Sequence, residues 1–161
     1  MDDDRRRPSG PPAHAGAPAA LAAALVVVAA LTLTPAGTGW TWGAPLTELR
    51  WYATGLDSES TLLQLVGNLA LLAVPAGLVV ARWPSAGRPA RLAALAVGTA
   101  SAIEVLQWLL PLGRVVSPLD AALNALGAVV AGLLVRQVRR AAAVPEADRP
   151  PRQPVGAVRR G

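Results

Sequence analysis

Apolar residues in this chain gather into long runs instead of alternating or recurring with a helical period. Three runs, 62–81, 92–111 and 119–135, are long enough to cross a bilayer, and a fourth, 18–34, contains no charged residue. At about 1.5 Å of rise per residue, each covers roughly 25–30 Å, the thickness of the hydrocarbon layer. Backbone N–H and C=O groups in lipid must be paired within their own segment, so the runs are expected to be helices and not strands. The pattern predicts an all-α polytopic membrane protein, a bundle of four transmembrane helices making one domain over residues 18–140. On either side, 1–17 and 141–161 are polar and rich in proline, and are expected to be disordered tails.

Interruptions inside the runs carry further detail. Pro75 sits mid-span and removes a backbone donor, which predicts a kink in the second helix. Small residues recur every four positions at Ala73, Gly77 and Ala81, at Ala94, Gly98 and Ala102, and at Gly127 and Ala131. Rows of this kind let helix backbones approach closely in lipid. No internal repeat is visible, which argues against an inverted-repeat transporter. The segment between the first two runs is the longest ordered loop and carries Trp40, Trp42, Trp51 and Tyr52, as expected of a chain lying at the membrane interface. Trp83 and Trp108 mark interfaces at the ends of the second and third runs.

Arginine sets the orientation, since the chain has no lysine. Arg5, Arg6 and Arg7 precede the first run, Arg82, Arg88 and Arg91 lie between the second and third, and seven arginines follow the fourth. The other two connections hold only Arg50, among Glu48, Asp57 and Glu59, and Arg114. This alternation predicts that both termini are cytoplasmic. A basic start, an alanine-rich run and small residues near 36–39 also fit a cleaved signal peptide. The run is free of charge for longer than such a peptide needs, and no small-x-small site follows it, so a retained helix is expected. The net charge of +5 is spread over tails and short loops, and anionic lipid suits Arg136, Arg139 and Arg140 better than nucleic acid does. Absence of cysteine excludes disulfides and thiol catalysis, and the one histidine, His14, lies in a tail, which excludes a His-based triad and the usual zinc sets. No cofactor or metal site is expected.

Polar residues within the runs are the candidate chemistry: Gln64, Asn68, Glu104, Gln107, Asp120 and Asn124, with Arg114 beside them. Given the predicted topology, Asn68 is about 9 Å, Glu104 about 10 Å and Asn124 about 8 Å from the outer end of its helix, at about 1.5 Å per residue. Spacings of three and four put Gln64 with Asn68, Ser101 with Glu104 and Gln107, and Asp120 with Asn124, on single helix faces. An ionisable group at such depth is a functional candidate by default. Each also has a plain structural role. Ser117-Pro118-Leu119-Asp120 has the form of a capping box for the fourth helix, worth about 1 kcal/mol. The amides can join helices at about 0.6 kcal/mol each, and Glu104 can pair with Arg114.

The pieces NLALLAVPAG (68–77), IEVLQ (103–107) and RVVSPLDAALNALGAVVAG (114–132) together resemble the VanZ-like family of bacterial integral membrane proteins. In that family an Asn at the apolar start of one helix, a Glu-x-x-Gln on the next and an Arg…Asp-x-x-x-Asn-x-x-Gly run recur in this order. The likeness covers about 64–134 and carries over to Asn68, Glu104, Gln107, Arg114, Asp120, Asn124 and Gly127. It implies a role at the bacterial cell envelope, in a family named for low-level resistance to the lipid-tailed glycopeptide teicoplanin. Alanine-, arginine- and proline-heavy usage fits a high-GC bacterial genome.

Three functions are compatible with these residues. In the first, Asn68, Glu104, Gln107, Arg114, Asp120 and Asn124 form an outward-facing pocket in the plasma membrane for the head group of an amphiphilic envelope molecule or a lipid-tailed glycopeptide, with Arg114 meeting an anionic group. In the second, Glu104 and Asp120 serve as an acid–base pair, or hold one divalent cation, in an enzyme acting on a lipid-linked substrate. In the third, the polar groups tie together an accessory subunit of a larger membrane complex. Membrane lipid is a partner in all three.

Overall fold

A computed structural model describes residues 16–143. Helix α1 (Gly16–Leu33) leads into a short strand β1 (Trp40–Trp42) and a helix α2 (Pro45–Thr54). Helices α3 (Glu59–Leu71) and α4 (Ala73–Arg82) follow, then a 3-10 turn (Pro84–Gly87), α5 (Pro89–Leu109), a strand β2 (Arg114–Val116) and α6 (Pro118–Ala142). Four segments are long and apolar enough to cross a membrane: Gly16–Leu33, Glu59–Arg82, Pro89–Leu109 and Pro118–Ala142. The fold is all-α apart from the two short strands. The predicted tails lie outside the described residues, except that α1 already begins at Gly16 and α6 continues to Ala142.

The second span is broken, and its sequence says where. Pro75 has no N–H to offer the carbonyl of Leu71, so α3 ends there and Leu72 takes φ −98° and ψ 0°. The ladder resumes with Ala76 N–H donating to Leu72 O at 3.0 Å. The kink expected at Pro75 is therefore a change of helix at Leu72.

Helix α6 is the hub, packed against α3, α4 and α5, while α1 leans on α4 and α5. The core is built largely from small side chains, with Ala96, Ala100, Ala125 and Ala128 around Val28, Leu72 and Ile103. Close backbone approach explains this. A Cβ at Gly127 would overlap the carbonyl of Leu69, and one at Gly132 would lie 2.7 Å from a Leu92 methyl. The row on α5 behaves differently. Nothing lies within 4 Å of a Cβ at Gly98, and Ala94 and Ala102 are exposed, so among the described residues this row faces outward and is not a helix contact. Large apolar side chains cover the outside: Val26, Leu63, Leu109 and Val138 are exposed, as a lipid-facing surface requires.

The connection after α1 is more ordered than a loop. Its strand β1 pairs in parallel with β2, with Trp40 opposite Arg114, Thr41 opposite Val115 and Trp42 opposite Val116. Flanking backbone bonds extend the pairing, from Ala36 N to Leu112 O at 2.7 Å and from Gly43 N to Val116 O at 2.9 Å. Gly113 makes it possible. Its φ is +66°, and a Cβ there would run into the backbone of Gly37. The ribbon lays α2 over the start of α6, where the polar residues converge.

Candidate functional site

The site is built around the first turn of α6. Ser117 caps the helix, with φ −127° and ψ 114°, and its Oγ accepts from Asp120 N at 3.0 Å. Half of the predicted capping box is thus present. The other half is taken over by a different helix: Ser117 N–H donates to Glu104 Oε2 at 2.7 Å. Asp120 is thereby freed to turn toward α3 and α2, where its Oδ1 accepts from Asn68 Nδ2 at 2.6 Å and from the Tyr52 hydroxyl at 3.3 Å. Ser117 Oγ also donates to Glu48 Oε2 at 2.6 Å. Three carboxylates, Glu48, Glu104 and Asp120, therefore surround the helix end whose orphan N–H groups favour negative charge.

Tyr52 belongs to α2, outside the spanning segments, and is only 6% exposed. Burial, and after it the negative charge of Asp120, push its hydroxyl up to about 12. It therefore stays protonated and donates to Asp120 at any ordinary pH. Glu48 and Tyr52 are the residues that sequence reasoning missed. Tyr52 was expected to be an interfacial anchor, and nothing local to α2 shows that the strand pairing brings it beneath α6.

The opposite wall is held by main-chain acceptors of α1. Gln107 Nε2 donates to Thr32 O at 2.9 Å, and Arg114 donates through Nε and one terminal nitrogen to Thr34 O at 3.2 and 2.9 Å. These carbonyls lie at the end of α1, beyond the reach of intrahelical donors. The expected ion pair between Arg114 and Glu104 does not form, because each group has a backbone partner instead: Thr34 O for the guanidinium and Ser117 N for the carboxylate. Of the four amides expected to join helices, two do so: Asn68 joins α3 to α6 and Gln107 joins α5 to α1, whereas among the described residues no such bond is made by Gln64 or Asn124.

Between these walls lies a chamber of about 450 Å³. Gln64 and Asn68 face it from α3, Glu104 and Gln107 from α5, Asp120 and Asn124 from α6, and Arg114 from β2. All seven polar residues singled out in the sequence meet here. Asn124 is the unsettled member: it is 2% exposed, and its Oδ1 has no hydrogen-bond partner. A buried acceptor without a partner costs about 1–3 kcal/mol. A second, apolar cavity of about 180 Å³ lies further along α1, α5 and α6, lined by Leu25, Pro75, Leu95 and Ala96 among others. Leu71 lines the chamber and Leu72 the apolar cavity, while Asn124 and Ala128 divide in the same way one turn apart on α6. Among the described residues no group of three or more His, Asp or Glu could hold a metal ion.

Trp40 and Trp108 meet edge to face at 6.5 Å, and Trp51 lies against Tyr52 at 5.0 Å. No curated protein and no solved structure matches this chain. The family model described as VanZ/LLP1 matches residues 21–139, from α1 to the last turns of α6. With four membrane-length helices and a family match over well more than half its length, the chain is a multi-pass membrane protein that belongs to the VanZ/LLP1 family.

Proposed function

We propose that this protein lies in the bacterial plasma membrane with its arginine-rich end in the cytoplasm, and that the chamber opens outward to hold the head group of an amphiphilic envelope molecule. A lipid or a lipid-tailed glycopeptide has the required form. The observation that carries this reading is a polar chamber and, further along α1, α5 and α6, an apolar cavity, two spaces that suit a molecule with a polar head and an acyl tail. The chamber volume of about 450 Å³ is within the usual range for small-molecule sites. Its chemistry specifies the head group further. The unpartnered Asn124 Oδ1 needs a hydroxyl or N–H donor, as a sugar or amino acid supplies, and Arg114, which lines the chamber, suits an anionic group.

Asn124→Leu tests this directly. The change removes the orphan acceptor and keeps the number and branching of side-chain heavy atoms, with the added bulk of the methyl groups free to enter the chamber that Asn124 lines, so the folded protein should be about as stable as the parent. Binding of a fluorescent lipid-tailed glycopeptide should fall at least tenfold, on the scale of one lost hydrogen bond in a closed site. The same glycopeptide core without its acyl chain should bind the parent more weakly. Full-strength binding by a folded Asn124→Leu protein would end the proposal.

A further inference from the structure

The other end of the bundle holds a second concave site that the chamber does not explain. A hollow of about 540 Å³ lies between the 3-10 turn after α4 and the last turns of α6, lined by Ser85, Arg88, Arg136, Arg139 and Arg140. Four arginines thus line one concavity. Neither the chain from Leu72 to Ile103 nor that from Ala121 to Ala143 contains an aspartate or glutamate, so the elements forming this end supply no counter-charge. The basic residues of the last turn do suit the negative end of the α6 dipole, but only Arg139 and Arg140 are placed for that role.

The hollow is held in shape from two sides. Arg139 donates to the carbonyl of Ala81 at the end of α4, tying α6 to α4 across its floor. Gly87 is buried, and a Cβ there would lie 3.5 Å from both Cβ and Cδ of Arg136, so the turn packs directly on the Arg136 stem. Arg136 is partly buried, whereas Arg88, Arg139 and Arg140 are exposed. Trp83, half exposed beside the turn, and the exposed Leu134 and Val138 of α6 put the rim at a boundary between apolar and polar surroundings.

We propose that this hollow binds a phosphate-bearing anion, whose oxygens accept charge-assisted hydrogen bonds from Arg88, Arg136 and Arg140 while Arg139 fixes the frame. The phosphate can come from the head group of an anionic phospholipid or from a soluble phosphate compound, and the experiment separates the two. Full-length protein in phosphatidylcholine nanodiscs is titrated with inorganic pyrophosphate. In parallel, binding of fluorescent phosphatidylglycerol is measured in the same discs. Two double variants of equal charge are compared: Arg88→Gln with Arg136→Gln, which changes the hollow, and Arg82→Gln with Arg91→Gln, at the same end and outside its lining, Arg91 touching it only through Ser85 Oγ at 3.4 Å.

The first double variant should bind about thirtyfold more weakly, at about fivefold per arginine, and the second less than about fivefold. Arg140→Gln alone, at an exposed position that leaves packing intact, should cost about fivefold and keeps the test available if the double variant is unstable. Phosphatidylglycerol binding without pyrophosphate binding identifies a lipid head group, and pyrophosphate binding of similar strength identifies a soluble ligand. Equal losses in the two double variants, or no binding to the parent in either arm, would overturn the proposal.

Discussion

Ser117 does three things with three different parts of itself: its N–H serves Glu104, its hydroxyl proton serves Glu48, and its Oγ lone pair caps α6 through Asp120 N. The three bonds can be separated by substitution. Ser117→Ala removes the cap and the donor to Glu48 while leaving the bond to Glu104, and should cost about 1–2 kcal/mol, read as a lower Tm in detergent. Glu104→Gln keeps an acceptor for Ser117 N and should be close to neutral. Glu104→Leu leaves that N–H buried and unpaired, and should cost about 1–3 kcal/mol. A Glu104→Leu protein as stable as Glu104→Gln would refute the bond. Tyr52 gives a pH test, because it is the only tyrosine in the chain. Its hydroxyl is pushed from 10.0 up to about 12, so the folded state holds this proton more tightly than the unfolded state does. Its contribution to stability is then intact below pH 10.0 and is lost as pH rises toward about 12. Phenolate absorbance of the folded protein should develop near the higher value, and Asp120→Asn, which removes the neighbouring charge, should lower that midpoint.

At the level of elements, the glycines of α5 and α6 make a contrast that the sequence alone could not draw, since both stand in rows of small residues. Gly127→Val places atoms where the Leu69 carbonyl already is, and should cost about 1–3 kcal/mol or more as α3 and α6 separate. Gly98→Val meets nothing within 4 Å and should leave the Tm unchanged or raised. Thermal unfolding of both variants in detergent checks this. Row spacing is a property of one helix, whereas its use depends on whether another helix faces it. Elements legible in the sequence were those encoded locally: the four spans by their apolar length, the break by Pro75, the cap by Ser117 and Pro118. The ribbon of β1 and β2 was not legible, because two three-residue strands far apart in the chain leave no period to read, and with it went the placement of Glu48 and Tyr52. The convergence of Asn68, Glu104 and Asn124 was legible because a helix crossing a membrane converts residue number into depth.

For the whole molecule, the structure has two unlike ends. The chamber, Trp40, Trp42, Trp51 and Trp108 lie at one, and Arg82, Arg88, Arg91 and the arginines of α6 at the other. The proposed orientation sets the arginine end in the cytoplasm, and cysteine labelling tests it on a chain with no cysteine of its own. A cysteine at Thr54 should react with an impermeant thiol reagent in intact cells, and one at Ser85 should react only after the membrane is opened. Cysteines at Ser9 and Ala147, outside the described residues, should behave like the one at Ser85. The reverse labelling would place the chamber in the cytoplasm and exclude an envelope ligand while leaving the fold untouched.

The attachment of α1 has a consequence for how this protein tolerates change. Helix α1 is joined to the chamber by the carbonyls of Thr32 and Thr34, and a carbonyl is present whatever side chain its residue bears. The polar part of the information that docks α1 is therefore written elsewhere, in Gln107 and Arg114, beside the apolar packing of Val28 in the core. A saturation scan should find the exposed position 34 permissive to any residue that keeps the helix end, whereas position 32, which is buried and lines the chamber, should accept only small side chains. Replacing Gln107 or Arg114 should instead release α1 and open one side of the chamber. The first span can drift in sequence, provided it stays apolar, without losing its place.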